Sequence, residues 1–240
     1  MAAAADEIQP SETPPLLLVH RLPRFKLSFF PFLQTEYTVL DPLADPPDPS
    51  FPDLSKSARI MLCVGPTPVG SDELDRYPAV ECVVGSSAGL NHIDLAACRR
   101  RGVRVTSAGD AFSDDVADYA VGLAIDVLRR VSAADRFVRA GSWPVQKEYL
   151  LGSKVSGKRV GIVGLGSIGS RVAKRGEIGG AGLDVFEHEP NVPKELLTLD
   201  SVVLSPHKAV FTPESFAALE KVVLGNIQAF FSNKPLLTEI

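Results

Sequence analysis

Cysteine, tryptophan and positive charge are all in short supply in this 240-residue chain, and each shortage narrows what the protein can be. Its three cysteines, Cys63, Cys82 and Cys98, are an odd set without Cys-x-x-Cys spacing, which argues against a disulfide framework or a zinc site. They are expected to be reduced, packed thiols in a cytosol-like compartment, and no metal is expected. With 25 Lys and Arg against 29 Asp and Glu, a net charge of −4, the chain has no basic field of the kind nucleic acid or anionic lipid requires. A small molecule is the expected partner. No apolar run approaches the roughly 18 residues of a membrane span. The opening "MAAAADEIQPSE" is acidic where a signal or transit peptide would be basic, and the closing "LLTEI" is no recognised address. A cytosolic protein without membrane contact is therefore expected.

What the chain does have is a hydrophobic content of 45%, enough for one large core or two small ones. "PLLLVH", "ARIMLCVG", "AVECVVGS" and "VRVTSAG" read as strands, separated by a helical turn "SDELDRYP" and a helix "NHIDLAACRRRG". Such alternation predicts a parallel sheet covered on both faces. The five prolines of residues 41–53 predict a loop. From Ser113, a plausible N-cap, Val116, Ala120, Leu123, Val127, Val131, Ala134 and Val138 recur at three- and four-residue spacing, which predicts one long helix stopped by Gly141. That helix is a natural place to pass from one domain to another. "KRVGIVGLG" and "SVVLSPH" read as further strands, and Thr212 and Pro213 start a last helix with Phe216, Leu219, Val223, Ile227 and Phe230 on one face.

Three stretches carry candidate chemistry. "GLGSIG", Gly164 to Gly169, stands between a β-rich run and a short helix, where glycines permit a tight turn and close approach of a pyrophosphate; a structural glycine turn is the other reading. Asp184 lies 20 positions after Gly164, the distance at which a dinucleotide fold places its ribose carboxylate. His207 ends a strand in "LSPH", at a sheet edge where ligands bind, and is read either as a general acid/base or as a surface histidine. Glu189, also just after a strand, either orients that imidazole or is a solvated turn carboxylate. His20 and His92 read as structural and His188 as a loop residue. In "VGSSAGLNHID" small residues between strand and helix offer bare amides to an anion or simply make a tight turn.

"VGSSAGLNHIDL", "GVRVTSAGDAFSDDVADYAVGLAIDVLRR", "GKRVGIVGLGSIGSRVAKR", "GEIGGAGLDVFEHEP" and "VVLSPHKAVFTPES" resemble, in that order, segments of the D-isomer-specific 2-hydroxyacid dehydrogenases, nearest the glyoxylate/hydroxypyruvate and hydroxyphenylpyruvate reductases. The resemblance implies an α/β fold of two doubly wound parallel-sheet domains, Rossmann or flavodoxin-like. Residues 1–110 and 211–240 would form the substrate domain and 111–210 an abbreviated NAD(P)-binding domain. It implies reduction of a short 2-keto acid, hydroxypyruvate or glyoxylate, by NADPH or NADH in a homodimer. His207 matches the general acid, Glu189 the carboxylate orienting it, and Ser87, Ala88 and Gly89 the amides holding the substrate carboxylate. Gly164, Leu165, Gly166, Ser167, Ile168 and Gly169 match the pyrophosphate loop, and Val116 a residue of the nicotinamide pocket. Asp184 matches an Asp near the nicotinamide amide, so its ribose-like spacing reads as an accident.

The accident has a cause. "VAKR" runs directly into "GEIGG", where the family continues through a ribose-binding strand, further βα units and an Asn-x-x-Arg-Gly motif whose Arg clamps the substrate carboxylate. At about 30 residues per unit, three lost units remove roughly 80 to 90 residues near Arg175–Gly176. Two expectations follow: a reductase lacking its carboxylate clamp, or a catalytically impaired deletion isoform.

Overall fold

In the computed structural model, which describes residues 14–25, 28–156 and 180–240, the apolar runs of the first half become one parallel sheet. β1 (Leu16–Arg21), β2 (Thr38–Leu40), β3 (Ile60–Val64), β4 (Cys82–Gly85) and β5 (Arg104–Thr106) lie in the order β2-β1-β3-β4-β5. This is the flavodoxin-like variant of the doubly wound sheet. Successive side chains on a strand face opposite ways, so each strand feeds two cores. Leu17, Val19, Ile60, Leu62, Cys82 and Val84 pack on one face, and Leu18, Met61, Cys63 and Val83 on the other. The chain divides into two units, residues 1–112 with 213–240 and residues 113–212, and this sheet belongs to the first.

Neither β2 nor the helix before it is expected from the sequence, and the other connecting elements follow it with two local differences. α1 (Phe30–Glu36) precedes β2, and α3 (Ser71–Arg76) precedes β4. Between β2 and β3 the proline-rich stretch contains a short helix, α2 (Phe51–Leu54), where a plain loop is expected. Pro52 lies in its first turn, where the missing amide has no partner to lose. α4 (Leu95–Arg100) starts later than "NHIDL" suggests, because Asp94 caps it by accepting the Ala97 amide at 2.8 Å. Ile93, just before, pairs instead with Val69. The three thiols are free and buried; burial pushes Cys63 and Cys82 up to about 12 and raises Cys98 as well. Such thiols are inert packing groups.

In the second unit the expected long helix is broken. α5 (Ser113–Arg129) and α6 (Val131–Arg139) are separated by Arg130, whose φ of 57° is left-handed. The Asp126 carboxylate fixes the break by accepting the Ser132 amide at 2.8 Å together with the Ser132 hydroxyl. An apolar repeat continuing through Val131 and Val138 conceals this change of direction. After Gly141, which has φ of +68°, comes α7 (Trp143–Gln146). β6 (Ala181–Leu183) and β7 (Val202–Leu204) then pair in parallel, and α5 packs on both. Two glycines permit that approach. A Cβ on Gly180 would meet Val127 at 2.5 Å, and one on Gly182 would meet Leu123 Cβ at 2.7 Å. Gly164 to Gly169, the strand expected before them and the junction at Arg175–Gly176 lie outside the described residues.

The last helix, α8 (Pro213–Phe231), returns to the first unit and buries Leu219, Val223, Ile227 and Phe230, four of the five positions expected to share its face. It also buries Asn226 completely. The Asn226 carboxamide oxygen accepts the Leu237 amide at 2.9 Å, and its nitrogen donates to Val222 O and Thr238 Oγ1. This holds the tail against the edge of β5, where Ile240 N donates to Val105 O and Arg104 makes two hydrogen bonds to the Glu239 carboxylate. Leaving buried amides unpartnered costs about 1–3 kcal/mol each. Replacing Asn226 with Ala should therefore destabilise the chain by about 2–4 kcal/mol in urea unfolding; an unchanged midpoint would refute the assignment of Asn226 as the anchor of the tail.

Candidate active site

β6 and β7 end side by side, with Ser205 N donating to Leu183 O at 2.8 Å. Asp184, with its carboxylate, follows β6, and Ser205, 5% exposed, follows β7. The next turn wraps around that carboxylate. His207 N donates to the Asp184 main-chain oxygen at 2.8 Å, Lys208 N to Oδ1 at 2.8 Å and Ala209 N to Oδ2 at 2.9 Å. Three consecutive amides thus converge on one residue, an arrangement suited to an anion. His207 at its centre has φ of 53°, a left-handed conformation unusual for a non-glycine residue and held here by the flanking bonds.

The side chain of His207 reaches Glu189 across a second turn. Nδ1 lies 2.8 Å from Glu189 Oε2, while Glu189 Oε1 accepts the Phe186 amide at 2.9 Å. The structure thus brings together the two residues expected to act as acid and orienting carboxylate. An ionised carboxylate can only accept, so Nδ1 carries the proton of this bond and Nε2 is left for a reacting group. The imidazole is 56% exposed and therefore open to a ligand.

Both carboxyl groups are held below their usual range. For Glu189, burial pulls upward, but the hydrogen bonds from His207 and the Phe186 amide, with the His207 charge, outweigh it and a smaller upward push from Asp184. For Asp184, burial again opposes, and the Ser205 hydroxyl, the Lys208 and Ala209 amides and the charge of His207 prevail.

The remaining expected residues are placed as follows. Ser87, Ala88 and Gly89 follow β4 in the first unit, with Ala88 and Gly89 exposed. Ser87 O accepts the Ala108 amide, and among the described residues the amides of Ser87, Ala88 and Gly89 donate to no backbone oxygen. They are available to an anion. Val116 is 42% exposed on α5. His20 Nε2 pairs with Pro68 O at 2.8 Å, and the half-buried His92 is lowered by burial. Among the described residues no group of three metal-ligating side chains occurs, and no helix is long and apolar enough to cross a membrane. Sequence reasoning missed Ser205 and Tyr119, whose hydroxyls are hydrogen-bonded to each other across 86 positions of chain.

A nicotinamide dinucleotide needs a reacting end and a ribose anchor, and the described residues fit the first. The exposed, carboxylate-oriented imidazole stands at the carboxyl edge of a parallel strand pair, where such ligands bind. The ribose anchor is not offered by Asp184, despite its spacing. Both of its oxygens are engaged by protein donors of the His207 turn.

Comparisons with known proteins place the chain in a family. A family model described as "D-isomer specific 2-hydroxyacid dehydrogenase, catalytic domain" matches residues 22–240. A glyoxylate/hydroxypyruvate reductase of Arabidopsis thaliana is 41% identical, the alignment covering 96% of this chain and 98% of that protein. A hydroxyphenylpyruvate reductase of Plectranthus scutellarioides is 33% identical over 77% of this chain and 87% of its own. The crystal structure of an NADPH-dependent glyoxylate/hydroxypyruvate reductase of Sinorhizobium meliloti with NADP and malonate shares the fold, with 22% identity, a TM-score of 0.75 and coverage of 95% and 97%. The Arabidopsis alignment spans 319 positions, so at least 79 of them (319 less 240) have no counterpart here.

The depressed carboxyl groups make the site sensitive to acid in a defined direction. A lowered folded-state pKa contributes stability above the ordinary carboxylate range, about 4, and that contribution is lost as pH falls through the depressed values. The thermal midpoint of the wild-type chain should therefore fall between about pH 5 and pH 2. Asp184→Asn, whose amide turns a donor toward one of the turn's own donors, should lose about 1–3 kcal/mol at neutral pH and show a flatter acid profile. Parallel profiles for the two proteins would show that Asp184 does not bear this load.

Proposed function

Because the chain belongs to the D-isomer specific 2-hydroxyacid dehydrogenase family, we propose that it reduces a short 2-keto acid, hydroxypyruvate or glyoxylate, to the D-2-hydroxy acid with NADPH or NADH. The observation that carries this reading is the His207–Glu189 pair, 2.8 Å apart beside the ends of β6 and β7. The bound cofactor would supply a hydride to the carbonyl carbon. The protein's part is the proton: His207 gives it from Nε2 to the keto oxygen, while the Glu189 carboxylate on Nδ1 holds the ring. In the reverse direction the same nitrogen takes the alcohol proton. The amides of Ser87, Ala88 and Gly89 would hold the substrate carboxylate.

In this reading residues 1–110 and 211–240 form the substrate domain and residues 111–210 the NAD(P)-binding domain, with Gly164 to Gly169 taking the pyrophosphate and Val116 lining the nicotinamide pocket. Asp184 serves the turn that carries His207. A cytosolic homodimer is the proposed form. Carboxylate recognition by amides alone is weaker than by a bidentate arginine, so turnover should be low. The Arabidopsis positions that have no counterpart in this chain, with the engagement of Asp184, favour a second reading, a catalytically impaired form that does not hold the dinucleotide tightly.

The two are separated by one set of measurements. With hydroxypyruvate or glyoxylate, the purified chain should oxidise NADPH or NADH slowly, and His207→Gln should reduce kcat by about 10²–10⁴-fold. Complete absence of turnover, with no change in NADPH fluorescence on adding protein, would establish the second reading.

A further inference from the structure

A cleft of about 460 Å³ in the second unit takes no part in the chemistry described above. Its size falls in the range of small-molecule sites, about 300–1,000 Å³. Arg130, at the break between α5 and α6, lines it together with Phe137 of α6 and Tyr149, beyond α7. Two atoms of these residues are unusual: Arg130 Nε and Tyr149 Oη are both buried, and neither has a hydrogen-bond partner. Protein interiors seldom leave such groups unpaired. The Arg130 guanidinium lies over the Tyr149 ring, 5.8 Å from its centroid, and among the described residues it enters no ion pair. Its backbone, with φ of 57°, is in the left-handed region that favours glycine. Arginine thus stands where glycine would sit more easily and where its own charge is unanswered.

What would satisfy these groups follows from what they are. The Nε–H of arginine can only donate, so its partner is an acceptor, and the permanent charge selects an anion. A carboxylate, with two oxygens, can accept from Arg130 and from Tyr149 Oη together. Beside them the Phe137 and Tyr149 rings, 5.0 Å apart and tilted by 56°, offer an aromatic surface to a flat apolar body. The other charges of the cleft limit how much negative charge it can take. Arg136 is paired with Asp200 at 3.3 Å, and Glu148 adds a further carboxylate, so a second negative charge on the ligand would be repelled.

We propose that this cleft binds a small aromatic monocarboxylate, whose carboxylate accepts from Arg130 and Tyr149 and whose ring packs against Phe137. Both donor side chains line the cleft, and a turn of each brings its buried donor to the ligand. The site shares no residue with the His207 pair and stands whether or not that pair reduces a 2-keto acid.

The test is calorimetric titration of the full chain with benzoate, without substrate or cofactor. Benzoate should bind with a Kd on the order of 1 mM. Arg130→Gly should weaken it by at least about tenfold and Tyr149→Phe by about three- to tenfold. Benzyl alcohol, which keeps the ring without the charge, and phthalate, which adds a second charge, should each bind at least about tenfold more weakly than benzoate. His207→Gln should leave benzoate binding unchanged. Glycine adopts a φ of 57° without strain and phenylalanine only removes an unpaired hydroxyl, so both variants should melt within about 3 °C of the wild-type chain. Tyr149→Phe alone decides the question should Arg130→Gly fail to fold. Equal benzoate affinity in the wild type and the variants, phthalate binding as tight as benzoate, loss of binding in His207→Gln, or no binding up to about 20 mM overturns the proposal. A collapse of the melt in both variants overturns it equally, since the two side chains would then serve the fold.

Discussion

The turn that carries His207 hangs on one carboxylate taking two backbone amides. Asp184 grips the residues after His207 with its side chain and His207 itself with its main chain, and so converts a strand end into a fixed presentation of an imidazole. A ring on an ordinary exposed turn would sample several orientations. Here the backbone is locked in a left-handed conformation, and Glu189 then selects the ring orientation by accepting from Nδ1. The second carboxylate does useful work only because the first has already fixed where the ring can be.

This arrangement explains why the dinucleotide spacing of Asp184 misleads. Counting residues from a glycine loop locates an acidic side chain along the chain, but it does not say which donors surround that side chain. In "GLDVF" the local sequence is nearly silent about partners, because those partners, Lys208 and Ala209, lie 24 and 25 positions further on. Only the resemblance to other dehydrogenases separates an aspartate at the reacting end of a cofactor from one at the ribose end. The structure adds a third use, in which the carboxylate is consumed by the protein's own turn.

Legibility in the sequence tracks the range of the forces involved. Four strands of the first sheet are readable from strand-sized apolar runs bounded by turns, the three-residue β2 is not, and the buried face of α8 follows from Leu219, Val223, Ile227 and Phe230. The His207–Glu189 pair is readable as a candidate because each residue directly follows a strand-like run. The break at Arg130 is not, because the apolar repeat continues past it and the cause is a side-chain bond from Asp126 to Ser132. Ser205 and Tyr119 are invisible for the same reason at greater distance: nothing near either residue announces a hydroxyl partner in another element. What the sequence leaves out is mainly polar, directional and non-local.

The return of α8 to the first sheet bears on the order in which the chain can assemble. Leu219, Val223, Ile227 and Phe230 complete one of that sheet's two cores, and the segment after them, tied down by Asn226, closes the β5 edge. During synthesis, β1 through β5 therefore emerge with one face covered only in part, by α1, and one edge unpaired, and they remain so while residues 113–212 are made. The second unit, contiguous in sequence, has no such wait. Until α8 is in place, the uncovered part of that face and the open edge are where chaperones, or aggregation, would find the first unit.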